Sequence, residues 1–80
     1  MKINNLFFLD EEMFNNKFLI KGMTANSICC EDFVDNNQQF MVHRNTLNKV
    51  LKANKPLPCM LVEREYQGKT QLWLATMSTL

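Results

Sequence analysis

Apolar residues fall in short bursts separated by polar, Asn-rich stretches. Leu6-Phe7-Phe8-Leu9 ends at Asp10-Glu11-Glu12, and Phe18-Leu19-Ile20 stops before Gly22. Two such runs joined by a polar stretch suit an N-terminal β-hairpin or strand pair, and a short helix over residues 10–16 fits the same window. Thr24-Ala25-Asn26-Ser27 then supplies N-cap residues. Ile28, Cys29, Asp32 and Phe33 follow at helical spacing, with Glu31 and Asp32 where a helix dipole favours acids. This predicts a helix over about 25–35. Asp35-Asn36-Asn37-Gln38-Gln39 is a polar break.

The stretch Val42 to Pro58 carries the clearest periodicity. Leu47, Val50 and Leu51 recur at i, i+3, i+4, with the polar Asn54 at i+7, so one face of a helix is mostly apolar. The opposite face holds Arg44, Asn45, Asn48, Lys49 and Lys52, all hydrogen-bond donors and none acidic. Pro56 and Pro58 end the helix at about Asn54. Cys59 to Tyr66 is β-prone and partly alternating, Gln67-Gly68-Lys69 is a turn, and Thr70 to Leu74 returns, which makes a second hairpin. Helix, polar turn, helix and hairpin in that order predict an α+β fold. It would be a small winged helix-turn-helix, with two core helices, helix 42–54 in the major groove and hairpin 59–74 as the wing.

Length and composition narrow the class. Eighty residues allow one domain, spanning 1–80, and 46% apolar with 21% charged residues describe a globular chain. The net charge of +1 speaks against an unselective polyanion binder, but it is an uneven sum. Residues 1–40 hold three lysines against six acids, whereas residues 41–80 hold six cations (Arg44, Lys49, Lys52, Lys55, Arg64, Lys69) against Glu63 and Glu65. The basic half coincides with the helix and hairpin that the pattern selects for anion contact.

The chemistry of catalysis is missing. Cys29, Cys30 and Cys59 are odd in number and lack CxxC or Cys/His spacing, which fits free thiols in a reducing cytoplasm rather than disulfides or zinc. The first apolar run is too short for a signal peptide, and no run can span a bilayer, so a cytoplasmic protein without a membrane partner is expected. Gly22 and Gly68 are the only glycines, and no Ser/His/Asp order is present. The expectation is a protein without enzymatic activity, small-molecule substrate, cofactor or metal.

The segment VHRNTLNKVLKANKPLP resembles the recognition segment of small phage-derived regulators of the AlpA and excisionase type, through Val42, Arg44, Thr46, Leu47, Lys49, Val50, Leu51, Lys52 and the following prolines. The wider chain is similar to the pyocin-activator family in Leu6-Phe7-Phe8-Leu9, Ile28-Cys29-Cys30-Glu31-Asp32-Phe33 and Pro56-Leu57-Pro58. His43 stands where that pattern often has a Ser N-cap, and Asn54 or Ala53 where it has Gly. The resemblance implies a sequence-specific DNA-binding regulator of a mobile element, acting on transcription or on the direction of recombination. It also implies double-stranded DNA and an integrase as partners, and self-association on repeated sites. Arg44, Asn45 and Asn48 would read bases. His43, Thr46, Lys49 and Lys52 on the helix, with Arg64, Gln67 and Lys69 on the hairpin, would complete the DNA contacts.

Two other classes fit the same residues. A small RNA-binding barrel of the Sm type would use Phe18-Leu19-Ile20-Lys21-Gly22 and Gln39-Phe40-Met41-Val42-His43 as strands. A phage anti-host or anti-defence protein would bind one protein target, with the acidic N-terminal half as a nucleic-acid mimic.

Overall fold

The computed structural model describes residues 6–77. The elements in chain order are β1 (Phe7–Leu9), α1 (Glu11–Lys17), β2 (Phe18–Met23), β3 (Ser27–Asp32), β4 (Gln38–His43), α2 (Arg44–Lys52), β5 (Leu57–Tyr66) and β6 (Lys69–Thr76). The six strands form one curled sheet, a half-barrel, in the order β1-β5-β6-β4-β3-β2. All neighbours run antiparallel except β4 and β6, which meet in parallel through the single residue pair Met41 and Trp73.

The curl follows from chain connectivity. β1 and β2 occupy opposite edges, yet only α1 and its cap separate them in sequence. A flat six-stranded sheet would hold its edges about 24 Å apart, whereas seven helical residues span about 10 Å. The sheet bends until one short helix can bridge it. Asp10 starts α1 by accepting the Met13 amide on Oδ1 at 2.9 Å, and Glu11 and Glu12 suit its N-terminal end. At its other end the Lys17 ammonium lies 5.6 Å from the Phe7 ring of β1, 5.5 Å from the Phe18 ring of β2, and 3.6 Å from Asp32 Oδ2 of β3.

Both helices pack on the concave face. The core joins Leu9, Phe14, Phe18, Ile28, Cys30, Phe40, Val42, Leu47, Val50, Cys59 and Leu74. Phe18 sits between Phe14 and Phe40, with ring centroids at 5.2 and 4.9 Å in edge-to-face arrangement. Asp32 is the one buried charged residue among those described. Its Oδ1 accepts the amides of Val34 (3.0 Å) and Asp35 (2.9 Å), which starts the turn that Asn36 and Asn37 complete at φ 59° and 55°.

This architecture replaces the expected winged helix-turn-helix. The region expected as a helix over 25–35 is a turn and then β3, whose residues alternate between faces with Ile28, Cys30 and Asp32 inward. Residues 28 and 32 are four apart, a spacing that satisfies both the helical period and the period of two, so the pair could not separate them. Only the second expected helix forms, as Arg44–Lys52 rather than 42–54, because Val42 and His43 complete β4. The short helix over 10–16 exists as α1, and the two N-terminal apolar runs are opposite edges rather than partners. The C-terminal hairpin turns at Gln67 (φ 50°) and Gly68 (φ 78°), two positive values that match a type I′ turn. It is no peripheral wing: β5 and β6 lie inside the sheet, each bonded on both sides.

Phe18→Ala should cost about 3–5 kcal/mol, comparable to the whole stability of so small a domain. Leu19→Ala, one residue on but half exposed, should cost less than about 0.5 kcal/mol; urea midpoints of the pair measure the difference. The thiols give a second check. Burial pushes Cys30 up to about 12, with Cys29 adding to the shift, and burial pushes Cys59 up to about 11. At pH 8 both are almost wholly protonated and shielded. Alkylation of the native protein followed by mass spectrometry should label Cys29 first, and the other two only in denaturant.

Candidate binding face on the outer side of the sheet

Strand register assigns a second set of residues to the convex face, opposite both helices. On β5 they are Pro58, Met60, Val62, Arg64 and Tyr66; on β6, Lys69, Gln71, Trp73 and Ala75. Trp73 is central. It pairs with Val62 on one side and Met41 on the other, and Met41 continues to Cys29 of β3. Val62 is 7% exposed although it lies outside the main core, so this face has a small apolar patch of its own.

Trp73 is only partly covered, and its ring is flanked by two groups suited to anion recognition. The His43 ring lies 4.7 Å away, tilted by 33°, and the Arg64 guanidinium lies 5.6 Å from the ring centre. Arg64 pairs across the hairpin with Gln71, and Gln39 Nε2 donates to Glu31 at 3.4 Å further along. Tyr66 (61% exposed) lies four residues beyond Val62 on β5, and Pro58 lies four before it, paired with Phe8 of β1 (54% exposed). Side chains four apart on a strand share a face at about 13 Å spacing. Tyr66 of β5, Trp73 of β6 and Phe8 of β1 therefore share one face of three adjacent strands, at the levels of Tyr66, Val62 and Pro58 along β5.

At the Phe8 end the face opens into a cleft of about 730 Å³ where the C-terminal end of α2 meets the hairpin base. Phe8, Ala53, Pro56, Leu57, Pro58, Thr76 and Met77 line it, with Lys49, Lys52 and Lys55 and no acid. Among the described residues none of these lysines has an acidic partner; the only ion pair is Lys17 with Asp32. Lys49 and Lys52 stand in the last turn of α2, where cations also offset the helix dipole.

The residues expected to contact DNA divide into five groups. His43 and Arg64 meet through Trp73. Lys49 and Lys52 join the cleft. Gln67 and Lys69 are exposed at the hairpin tip, and Asn45, Thr46 and Asn48 remain on α2 without a recorded side-chain bond. Arg44 is committed inside the molecule. Its Nη2 donates to the Thr24 carbonyl at 2.7 Å, its Nε to the Ala25 carbonyl at 3.2 Å, and its backbone N–H to the Asn26 carbonyl at 2.9 Å. It is a clamp on the β2–β3 turn, not a free reader of base edges. Trp73, Tyr66, Met60 and Phe8 were missed as site residues. For Met60 and Tyr66 the signal was the even-numbered set on β5, whose outward face carries apolar Met60 and Val62; Trp73 and Phe8 join them only through the register of β6 and β1.

Among the described residues no cluster of His, Cys, Asp and Glu could hold a metal ion, and no helix is long and apolar enough to cross a membrane. Comparisons with protein-family models, curated proteins and solved structures return no match.

The clamp predicts a local effect. Arg44→Ala should speed amide exchange at Thr24 and Ser27 and cost about 1 kcal/mol, since charged hydrogen bonds are worth more than neutral ones but these are exposed. Hydrogen–deuterium exchange by NMR reads it residue by residue.

Proposed function

We propose that the protein is a binding protein for single-stranded nucleic acid, RNA or DNA, which it takes on the convex face of the β5–β6 hairpin. The observation that carries this reading is the cluster of His43, Trp73 and Arg64 at the centre of the sheet face opposite both helices, a face that Tyr66 and Phe8 share. Bases unpaired from a duplex offer flat apolar faces, and aromatic side chains on a sheet are the ordinary platform for them. Arg64 and Lys69 supply charge to the backbone, while Gln71 and Gln39 offer amides to base edges. Near-neutral overall charge is compatible with this, because stacking carries a larger share of the affinity than counterion release.

A protein strand adding to the β2 edge is the competing use of this fold. Leu19, Ile20 and Met23 are exposed there. That edge, however, carries a register shift between Ile20 and Gly22 and the charge of Lys21, features by which sheets discourage edge pairing. The convex face carries no such deterrent.

Trp73 is the chain's only tryptophan, so its fluorescence reports directly on the site. Titration with a mixed-sequence 12-mer should quench it with a shallow salt dependence, about −0.7 in log K per phosphate contacted. Trp73→Ala, followed by anisotropy of a labelled strand, should lose about 1–3 kcal/mol. Phe33→Ala, exposed on the far turn, should change nothing. Tighter binding of duplex than of either single strand, or affinity indifferent to Trp73, would overturn the proposal.

A further inference from the structure

The cleft at the base of the hairpin lies where the convex face, through Phe8 and Pro58, meets the end of α2, and it differs chemically from that face. Its floor is apolar and partly rigid, because Pro56 and Pro58 have fixed backbone angles. Phe8 lines it beside Pro58, its register partner on the neighbouring strand. Its volume of about 730 Å³ lies in the range of small-molecule pockets, far above what a single side chain would fill. Three lysines line it, and among the described residues no acid does. The occupant that balances this set has one flat apolar body and more than one negative charge on a compact group.

An internal nucleotide brings one charge per phosphate. A terminal phosphomonoester brings close to two at neutral pH, with three acceptor oxygens. We infer that the cleft binds the phosphorylated end of the strand, with the terminal base on Phe8 and Pro58 and the phosphate among Lys49, Lys52 and Lys55. This rests on the strand-binding reading above and extends it from the face to the polarity of the strand. Lysines suit the task, being mobile point charges that can converge on one phosphate from different points of α2 and the following loop. The C-terminal end of a helix repels anions, so here the side chains alone draw the phosphate in. Strand ends would then be distinguished from internal sequence by charge as well as by access.

The test uses the full chain and three labelled 10-mers identical in sequence: 5′-phosphorylated, 3′-phosphorylated and hydroxyl at both ends. One phosphorylated form should bind about tenfold tighter than the hydroxyl form, the size expected of a charge-assisted contact. In Lys52→Gln/Lys55→Gln the ratio between the two should fall to about one. Both lysines are exposed, so the fold should hold. Nucleoside monophosphates, followed by amide NMR shifts, should perturb Ala53, Leu57 and Thr76, whereas inorganic phosphate at the same concentration should do so weakly. Equal affinity for all three oligonucleotides overturns the end site while leaving the strand-binding face standing. Inorganic phosphate acting as well as a nucleotide overturns it too, since the apolar floor then contributes nothing. If monophosphates occupy the cleft but Trp73→Ala leaves oligonucleotide affinity unchanged, the strand reading fails and the cleft stands as a nucleotide site alone.

Discussion

The ammonium group of Lys17 lies within reach of both edges of the sheet: Phe7 of β1 on one edge, and on the other Phe18 of β2 with its register partner Asp32 of the neighbouring β3. That meeting point closes the half-barrel. Asp32 is buried and would be costly if left unpaired, so the carboxylate must keep both its loop amides and a cation nearby. The same residue therefore shapes the β3–β4 turn and holds the end of α1 against the sheet. α1 is short because it has only this gap to cross. With the concave side covered by α1 and α2, the convex side is the one without a helix on it.

The consequence is a sheet that is apolar on both faces near its middle. On the concave side this is ordinary packing. On the convex side Val62 and Met41 flank Trp73 across neighbouring strands, and only the Trp73 ring and its two polar neighbours cover that patch. A tryptophan in that position is stiff, presents a broad surface and loses little conformational freedom on contact. Those properties suit a platform better than a core residue.

The helix Arg44–Lys52 and the hairpin turn at Gln67-Gly68 were legible in the sequence, because a 3.6-residue stripe and a Gly-containing turn are strong local signals. The basic character of the second half was legible too. What escaped was set by tertiary contact. β3 was hidden because Ile28 and Asp32 fit both periods, and because a buried aspartate looks like a capping acid until Lys17 is seen beside it. Arg44 looked like a reader of bases, since nothing in a linear pattern shows that a guanidinium is occupied by carbonyls nineteen and twenty residues earlier. Trp73 has no linear signal that tells which face of the sheet it occupies. Its role depends on which face of the hairpin the helices cover, and helix placement follows from the edge-to-edge path of α1.

The parallel contact between β4 and β6 gives the molecule a seam. On one side lie β2, β3 and β4, and on the other β1, β5 and β6. Within each group the hairpins form between near neighbours in sequence, but the groups join through the lone pair of Met41 and Trp73. Locally paired hairpins close at low entropic cost, whereas this joint and the β1 edge must wait for distant segments to meet. That joint is a single stitch in an otherwise continuous sheet, and it lies beneath Trp73. A ligand lying across Trp73 would span that stitch, and by mass action would also strengthen the cohesion of the two halves.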